Sequence, residues 1–559
     1  MLKEKVRFRH VVLFFILAGV VLRLGMLFNA NTGYDGTYYV AMGRGFSENG
    51  EFVMEWGDFG TSRIYCAHSH HFSPAFPVYL AAFYTVLGFS FLATKIASVT
   101  LSLLFLLVAY LTTKNLYGKD KALIVTAFFS VCFPLLHTAR IVYSENLVMI
   151  FFMLTLWAIM RGIEDDRYMV WAGLFAGLGY LTKASVGYFF LIAGCMGFLW
   201  RFYYMRWDVF KRKYYLLAIC LFLAIVGLWS LRNIMLFGFP NWETSYFVCN
   251  ANEYALSHPS QFFKMLLFSL LTFAILFLTA ALFFARELRA TLSKIKIEHY
   301  SGLWLAIFIV FLIGIVISSA LALVEEVSVF TPDRIRYIIV AFVPLVWLAV
   351  KDTGFQLDRN LGLVNIKDIL SWLKETLGNY KLMMVTSLSL LTAIILLFIL
   401  EYMTIYLVIL MAGVLSLAVK SSRKRLLILL TIFLLVSVDV ATEVRYSAAE
   451  EAAMDLRNHV QENDTVAICM SNKYAIYPYL DDCDFTAVNY DCQHHSDWIV
   501  SNWPIADDNY TLIREYEGRD SPGIVFSLKR FLPGNHQFLQ STGERKCYLY
   551  KQNLSEPGG

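Results

Sequence analysis

Long apolar runs, almost free of charge, recur along most of this chain, and the Lys and Arg residues collect between them. A hydrocarbon core of roughly 30 Å is crossed by about 20 helical residues, so runs of this kind read as transmembrane helices. They fall at Val11–Phe28, Ala93–Leu111, Ala122–Leu136, Leu147–Met160, Met169–Leu181, Ala184–Trp200 and Tyr214–Ser230. They continue at Phe262–Phe284, Leu303–Ala322, Ile338–Val350, Leu382–Leu400, Met403–Val419 and Leu426–Val440. The fold class expected is an all-α polytopic membrane protein with about thirteen crossings. Composition agrees: 58% of the 559 residues are hydrophobic and 16% charged, against about 25% charged in soluble domains. The formal net charge of +4 and the lack of a long basic block argue against a nucleic-acid partner.

The distribution of Lys and Arg sets the orientation. Lys3, Lys5, Arg7 and Arg9 precede the first run as in a signal sequence. That run is long enough to span, and no small-residue cleavage site follows it, so it reads as the first span with a cytoplasmic N-terminus. Alternate loops then carry the basic residues, among them Arg206, Lys211, Arg212 and Lys213, and Lys420, Arg423, Lys424 and Arg425. This is the positive-inside bias. Counting Pro74–Phe91 as a crossing would invert the bias, so that segment is expected to lie at the outer surface or dip in without crossing.

The same count leaves three outer regions: 29–73, 231–261 and everything after about Thr442. The last is polar, with a helical pattern over Ala448–Gln461 and short apolar runs such as Val466-Ala467-Ile468 and Ile524-Val525-Phe526. It reads as a small extracytoplasmic α/β domain, 442–559, following a transmembrane domain, 1–441. Cys132, Cys195 and Cys220 fall in spans. Cys66, Cys249, Cys469, Cys483, Cys492 and Cys547 all fall on the outer side, where an even set either pairs or stays as free thiols. The three N-x-S/T triplets, at Asn463, Asn509 and Asn553, are confined to the tail.

Ionisable groups beside lipid are costly and are functional candidates for that reason. Tyr34-Asp35-Gly36-Thr37-Tyr38-Tyr39 follows the first span. Asp35 reads on spacing alone as a cap for a helix from Tyr39 to Phe46, and alternatively as a general base. Arg140 and Glu145 bracket the loop after the third span and read as an ion pair, or as groups serving an acceptor or a metal. Lys183 follows Thr182 at a helix turn, where it can snorkel to the interface. Arg232 and Asn233 follow Trp229, and Arg334, Arg336 and Tyr337 enter a late span. Arginine suits a phosphate through its two-pronged donor geometry, while interfacial anchoring is the plainer role of each. His68, His70 and His71 crowd the first outer loop without the spacing of a helical metal pair.

The order of these motifs resembles that of the membrane-embedded glycosyltransferases of the C-type fold that use polyprenyl-phosphate sugars. The protein O-mannosyltransferases and lipid A aminoarabinose transferases are the most alike. The resemblance covers roughly Val11 to Val350. It implies that Asp35 is the catalytic carboxylate, in a motif that often carries a second acid where Gly36 stands here, and that Glu145 is a second acid. It implies His71, Arg140, Lys183, Arg232, Arg334 and Arg336 near the donor phosphate, with Tyr38, Asn233 and Tyr337 lining the substrate. The activity implied is inverting transfer of one sugar from a polyprenyl or dolichyl phosphate to an acceptor hydroxyl on the outer face. The chemistry requires no cofactor, and a divalent metal is left open. A transporter or flippase would be expected to show paired half-repeats around a midplane site, and no repeat is visible. A surface-polysaccharide polymerase or ligase would place a long outer loop late in the chain, and a non-enzymatic scaffold would make Asp35 dispensable.

Overall fold

The computed structural model describes residues 8–28, 34–57, 64–68, 72–184, 187–237, 339–351 and 422–442, short strands between 444 and 552, and isolated residues near them. In chain order the elements are α1 (Phe8–Gly25), α2 (Tyr34–Asn49), β1 (Val53–Gly57), β2 (Ile64–His68), α3 (Ala75–Leu87) and α4 (Phe91–Tyr117). There follow α5 (Lys119–Ser130), α6 (Phe133–Arg140), α7 (Glu145–Glu164), α8 (Tyr168–Tyr180), α9 (Tyr188–Met205), α10 (Lys213–Phe237), α11 (Ile339–Lys351) and α12 (Ser422–Thr442). The described residues are mostly helical. Among the described residues α1, α4, α7 and α10 are long and apolar enough to cross a membrane. Leu13, Phe14, Leu17 and Val21 on α1, and Leu216, Leu217 and Leu223 on α10, are exposed, as lipid-facing positions should be. The expected spans from Phe262 to Ala322 and from Leu382 to Val419 lie outside the described residues.

Two compact units emerge. The first comprises Met1–Leu22, Leu103–Leu136 and Glu145–Ser437; the second comprises Arg23–Ser102, His137–Ser144 and Val438–Gly559.

In the first unit, small residues let helices approach closely. A Cβ on Gly173 of α8 would collide with the Ala218 backbone carbonyl of α10, and one on Gly177 would press on Ile225, about two turns further along α10. This is the small-xxx-small contact of membrane helices, where close backbone approach replaces a hydrophobic driving force. Gly19 of α1 lies in the same way against Ser130 of α5, whose Oγ donates to the Phe15 carbonyl at 3.0 Å. Trp347 of α11 is fully buried and donates its indole N–H to Thr113 at 2.9 Å.

The span expected over Ala122–Leu136 is instead a broken pair, α5 and α6, bent by 55°. Pro134 is the physical reason. It cannot donate to the Ser130 carbonyl, and its ring clashes with a continuing helix, but it is tolerated in the first turn of a new one. The break frees the Val131 carbonyl, and Ser437 Oγ of α12 donates to it at 2.8 Å.

In the second unit, α2 packs on α3, with Gly43 meeting Leu80, Tyr84 and the Pro77 carbonyl. The expectation that Asp35 caps a helix starting near Tyr39 is corrected: α2 begins at Tyr34, and Asp35 is its second residue. Gly36, a poor helix former, hid that turn from the sequence. Helix α3 has 13 residues and ends at Gly88, whose φ of +76° suits glycine; a crossing takes about 20. An antiparallel hairpin, β1 with β2, occupies the first loop. Near the C-terminus, β4 (Val466–Cys469), β5 (Phe485–Thr486), β6 (Trp498–Ser501), β7 (Tyr510–Glu517) and β9 (Lys546–Gln552) form a mixed sheet in the order β5-β4-β6-β9-β7. A separate two-stranded pair joins β3 (Val444–Tyr446) to β8 (Arg519–Ser521). All four residues of β6 are buried, as expected of a strand paired on both sides.

Gly173→Ala is expected to lower the thermal midpoint of the detergent-purified protein, since overpacking a filled contact costs about 1–3 kcal/mol. Gly194→Ala in α9, where an added Cβ meets nothing within 4 Å, is expected to leave it unchanged or raise it slightly. Equal shifts for the two variants would contradict the close α8–α10 contact.

Candidate active site

In the second unit, the segment His137–Ser144 is held by α4 and α2. Helix α4 presents Lys95, Ser98 and Ser102, a polar stripe at helical spacing. Lys95 is fully buried, and its ammonium donates to the Arg140 carbonyl at 2.5 Å. Ser98 Oγ donates to the Ala139 carbonyl at 2.8 Å. These two donors satisfy carbonyls at the C-terminus of α6, where a cation is also favoured by the helix dipole. Ser102 accepts from Nε of the buried Arg23 at 2.8 Å.

The backbone beyond α6 turns sharply. Val142 has φ of +58°, an uncommon conformation for a β-branched residue that surrounding contacts must maintain. Tyr143 N–H reaches back to the Thr138 carbonyl at 3.0 Å. A Cβ on Gly36 would lie 2.5 Å from the Ile141 carbonyl. Gly36, standing where the resemblance often has an acid, is therefore the residue that lets the first turn of α2 touch this segment. Asp35 adjoins that contact in sequence.

Arg140 is buried, with Nη2 donating to His137 Nδ1 at 3.3 Å. Arginine only donates, so Nδ1 is the acceptor. Ser144 Oγ donates to the Tyr39 hydroxyl at 3.2 Å. Tyr38 and Tyr39 pack on Phe72 with ring centroids 5.2 and 4.8 Å apart, and Tyr39 meets Phe76 edge-on at 5.0 Å. An aromatic wall thus backs the start of α2.

In the first unit, Glu145 opens α7 and Lys183 follows α8. The Lys183 ammonium donates to Glu145 Oε1 at 2.7 Å, and both side chains are at most 5% exposed. Two expectations are corrected here. Glu145 has Lys183 as its salt-bridge partner, in place of Arg140, and Lys183 turns inward instead of snorkelling to the interface. The physical reason is desolvation: a buried carboxylate and a buried ammonium each cost several kcal/mol alone and are tolerated as a hydrogen-bonded pair. At the far end of α10, Arg232 lies over the Trp229 ring at 4.6 Å and donates to Asn233 Oδ1 at 2.9 Å. Asn233 is buried.

His71, Arg334, Arg336 and Tyr337 lie outside the described residues, and only the backbone of Asp35 is described. Among the described residues no three of His, Cys, Asp and Glu converge as a metal site. The sequence reasoning passed over Lys95, Arg23 and His137. Lys95 and Arg23 carried a signal, a lone cation within an apolar run.

Residues 71–229 match the family model described as dolichyl-phosphate-mannose-protein mannosyltransferase. No curated protein matches the chain. The crystal structure of ArnT from Cupriavidus metallidurans bound to undecaprenyl phosphate is similar at 13% identity and a TM-score of 0.53, covering 98% of this chain and 99% of that one. The apo structure of the same ArnT gives 13% identity and a TM-score of 0.52, covering 97% and 98%. The fold is that of the C-type membrane glycosyltransferases. The resemblance read from the motif order is thereby borne out, and the chain is a multi-pass membrane protein of this fold.

Replacing Lys183 with Met strands a buried carboxylate, and the C-type fold is expected to lose about 3–5 kcal/mol. Glu145→Gln combined with Lys183→Met is expected to recover part of that loss. Thermal midpoints of the two single variants and the double variant measure the coupling. Additive losses would show that the two groups do not depend on each other.

Proposed function

We propose that the chain transfers one sugar, a hexose or pentose, from a polyprenyl or dolichyl phosphate to an acceptor hydroxyl on the outer face of the membrane, with inversion at the anomeric carbon. The observation that carries this reading is the family match over residues 71–229, the stretch that supplies Arg140, Glu145 and Lys183. The undecaprenyl phosphate bound to the similar ArnT structure supports a lipid phosphate as the donor's leaving group.

In this reading Asp35 takes the proton of the acceptor hydroxyl as its oxygen attacks the anomeric carbon. The bond from that carbon to the phosphate oxygen breaks on the opposite face, and the departing phosphate gathers negative charge. Arginine and lysine are suited to hold such charge at a membrane face, where low dielectric strengthens each contact. Arg140 and Arg232, with His71, Arg334 and Arg336, serve the phosphate. Tyr38, Asn233 and Tyr337 shape the head-group cavity, and the polyprenyl tail stays in lipid. Glu145 fixes Lys183 and is the second acid of the site. No step needs a metal.

The membrane arrangement proposed is about thirteen crossings with a cytoplasmic N-terminus, set by the positive-inside bias. The transmembrane domain is 1–441, and 442–559 forms an extracytoplasmic α/β domain. The mixed sheet of β4 to β7 and β9 supports the last point.

The test compares wild type with Asp35→Asn in nanodiscs, using a panel of radiolabelled polyprenyl-phosphate sugars and a membrane or cell-wall extract as acceptor. Transfer by wild type is expected to fall at least about a hundredfold in the variant, while both bind the donor lipid. A variant as active as wild type would remove Asp35 from the chemistry.

A further inference from the structure

Between α9 and α10 the chain runs through a single 3-10 turn, Arg206–Lys211, of sequence Arg-Trp-Asp-Val-Phe-Lys. The turn is built into the first unit. Val209 is buried in a cluster with Met169, Tyr215 and Ala218, against which Phe198, Phe202 and Met205 pack. Arg206 caps the end of α9 with φ of +48°, an uncommon conformation for a residue with a side chain. Asp166, mostly buried, ties Arg201 at 3.4 Å and Arg212 at 3.3 Å beneath the turn.

What this platform displays is unusual. Trp207 is 73% exposed, Tyr203 66% and Phe210 44%, and Trp207 packs on both Phe202 and Phe210 with centroids 5.6 and 5.7 Å apart. Four basic residues share eight positions, 206–213, with one acid. Lys211 is bound to Asp208 at 2.8 Å, a contact that holds the Asp208 carboxyl below its usual range. Arg212 is bound to Asp166. Arg206 and Lys213 are exposed, with no acid partner among the described residues.

Exposed Trp and Phe are poorly placed in water, and four cations are poorly placed in hydrocarbon. The head-group layer accommodates both, aromatic rings at the acyl boundary and cations at lipid phosphates. The turn adjoins Lys213, the first residue of a helix apolar enough to span. The basic residues select the occupant, because the cytoplasmic leaflet of a cell membrane is anionic and attracts juxtamembrane Lys and Arg. We infer that the 203–213 platform is a docking surface for anionic phospholipid head groups, with Trp207 and Phe210 seated at the acyl boundary and Arg206 and Lys213 on lipid phosphate. The inference is independent of the sugar-transfer reading.

The full chain is placed in nanodiscs of phosphatidylcholine containing brominated phosphatidylglycerol or, separately, brominated phosphatidylcholine at equal fraction. Quenching of Trp207 is isolated as the difference between wild type and Trp207→Phe. Both lipids are expected to quench Trp207, with phosphatidylglycerol favoured about fivefold or more and the preference fading at high salt. In Arg206→Gln/Lys213→Gln the preference is expected to fall to near one while quenching by phosphatidylcholine persists. No quenching by either lipid would remove the platform from the bilayer. Equal quenching in wild type, or an undiminished preference in the double variant, would overturn the electrostatic selection. An unchanged thermal midpoint shows that these exposed substitutions leave the fold intact.

Discussion

Within an apolar environment a chain that leaves regular helix must satisfy every backbone group it frees. Between Ser130 and Glu145 this chain leaves helix twice, and the polar residues of its spans are placed to answer that demand. Ser437 serves the Val131 carbonyl. Ser98 and Lys95 serve the last carbonyls of α6. Residues that look like isolated liabilities in apolar helices are therefore the means by which a sharply turned segment, with Val142 in a left-handed conformation, persists beside lipid. That segment carries Arg140 and leads into Glu145, so the irregular backbone and the ionisable side chains occupy the same stretch of chain.

The two buried charge systems differ in kind. Lys95 donates to the Arg140 main-chain carbonyl and cannot serve a ligand through that contact without releasing it. Glu145 and Lys183 neutralise each other, so their net charge is zero and their value lies in fixing the start of α7 against the end of α8. A buried pair of this sort seldom adds stability over well-packed apolar groups. Arg232, over Trp229 and donating to Asn233, is only partly buried.

Much of the architecture was legible in the amino-acid order because hydropathy is a strong, local signal. Helices α4, α7 and α10 overlap the expected spans and extend beyond each of them at both ends, since polar residues such as Thr112 and Glu164 continue a helix without raising its hydropathy. The break between α5 and α6 was announced by Pro134 but masked by the apolar run around it. The site was less legible. Arg140, Glu145, Lys183 and Asn233 are buried, as functional groups in a membrane protein tend to be. The partnership of Glu145 with Lys183 spans 38 positions, and nothing in local spacing reveals it. Lys95 was overlooked because a single cation inside a span reads as noise until its partner, a main-chain carbonyl 45 positions away, is seen. Near the C-terminus, the Val466–Ile468 run is strand β4, while Ile524–Phe526 lies outside the described residues.

The central proposal is that arginines of this fold, Arg140 and Arg232 among them, serve a lipid-borne phosphate. Binding of undecaprenyl phosphate and of undecaprenol, which differ only in the phosphate, to the detergent-purified chain measures this directly by native mass spectrometry. The account predicts that the phosphate-bearing lipid binds at least about tenfold more tightly, the worth of one charge-assisted contact in a water-poor site. Equal affinity for the two lipids would contradict it.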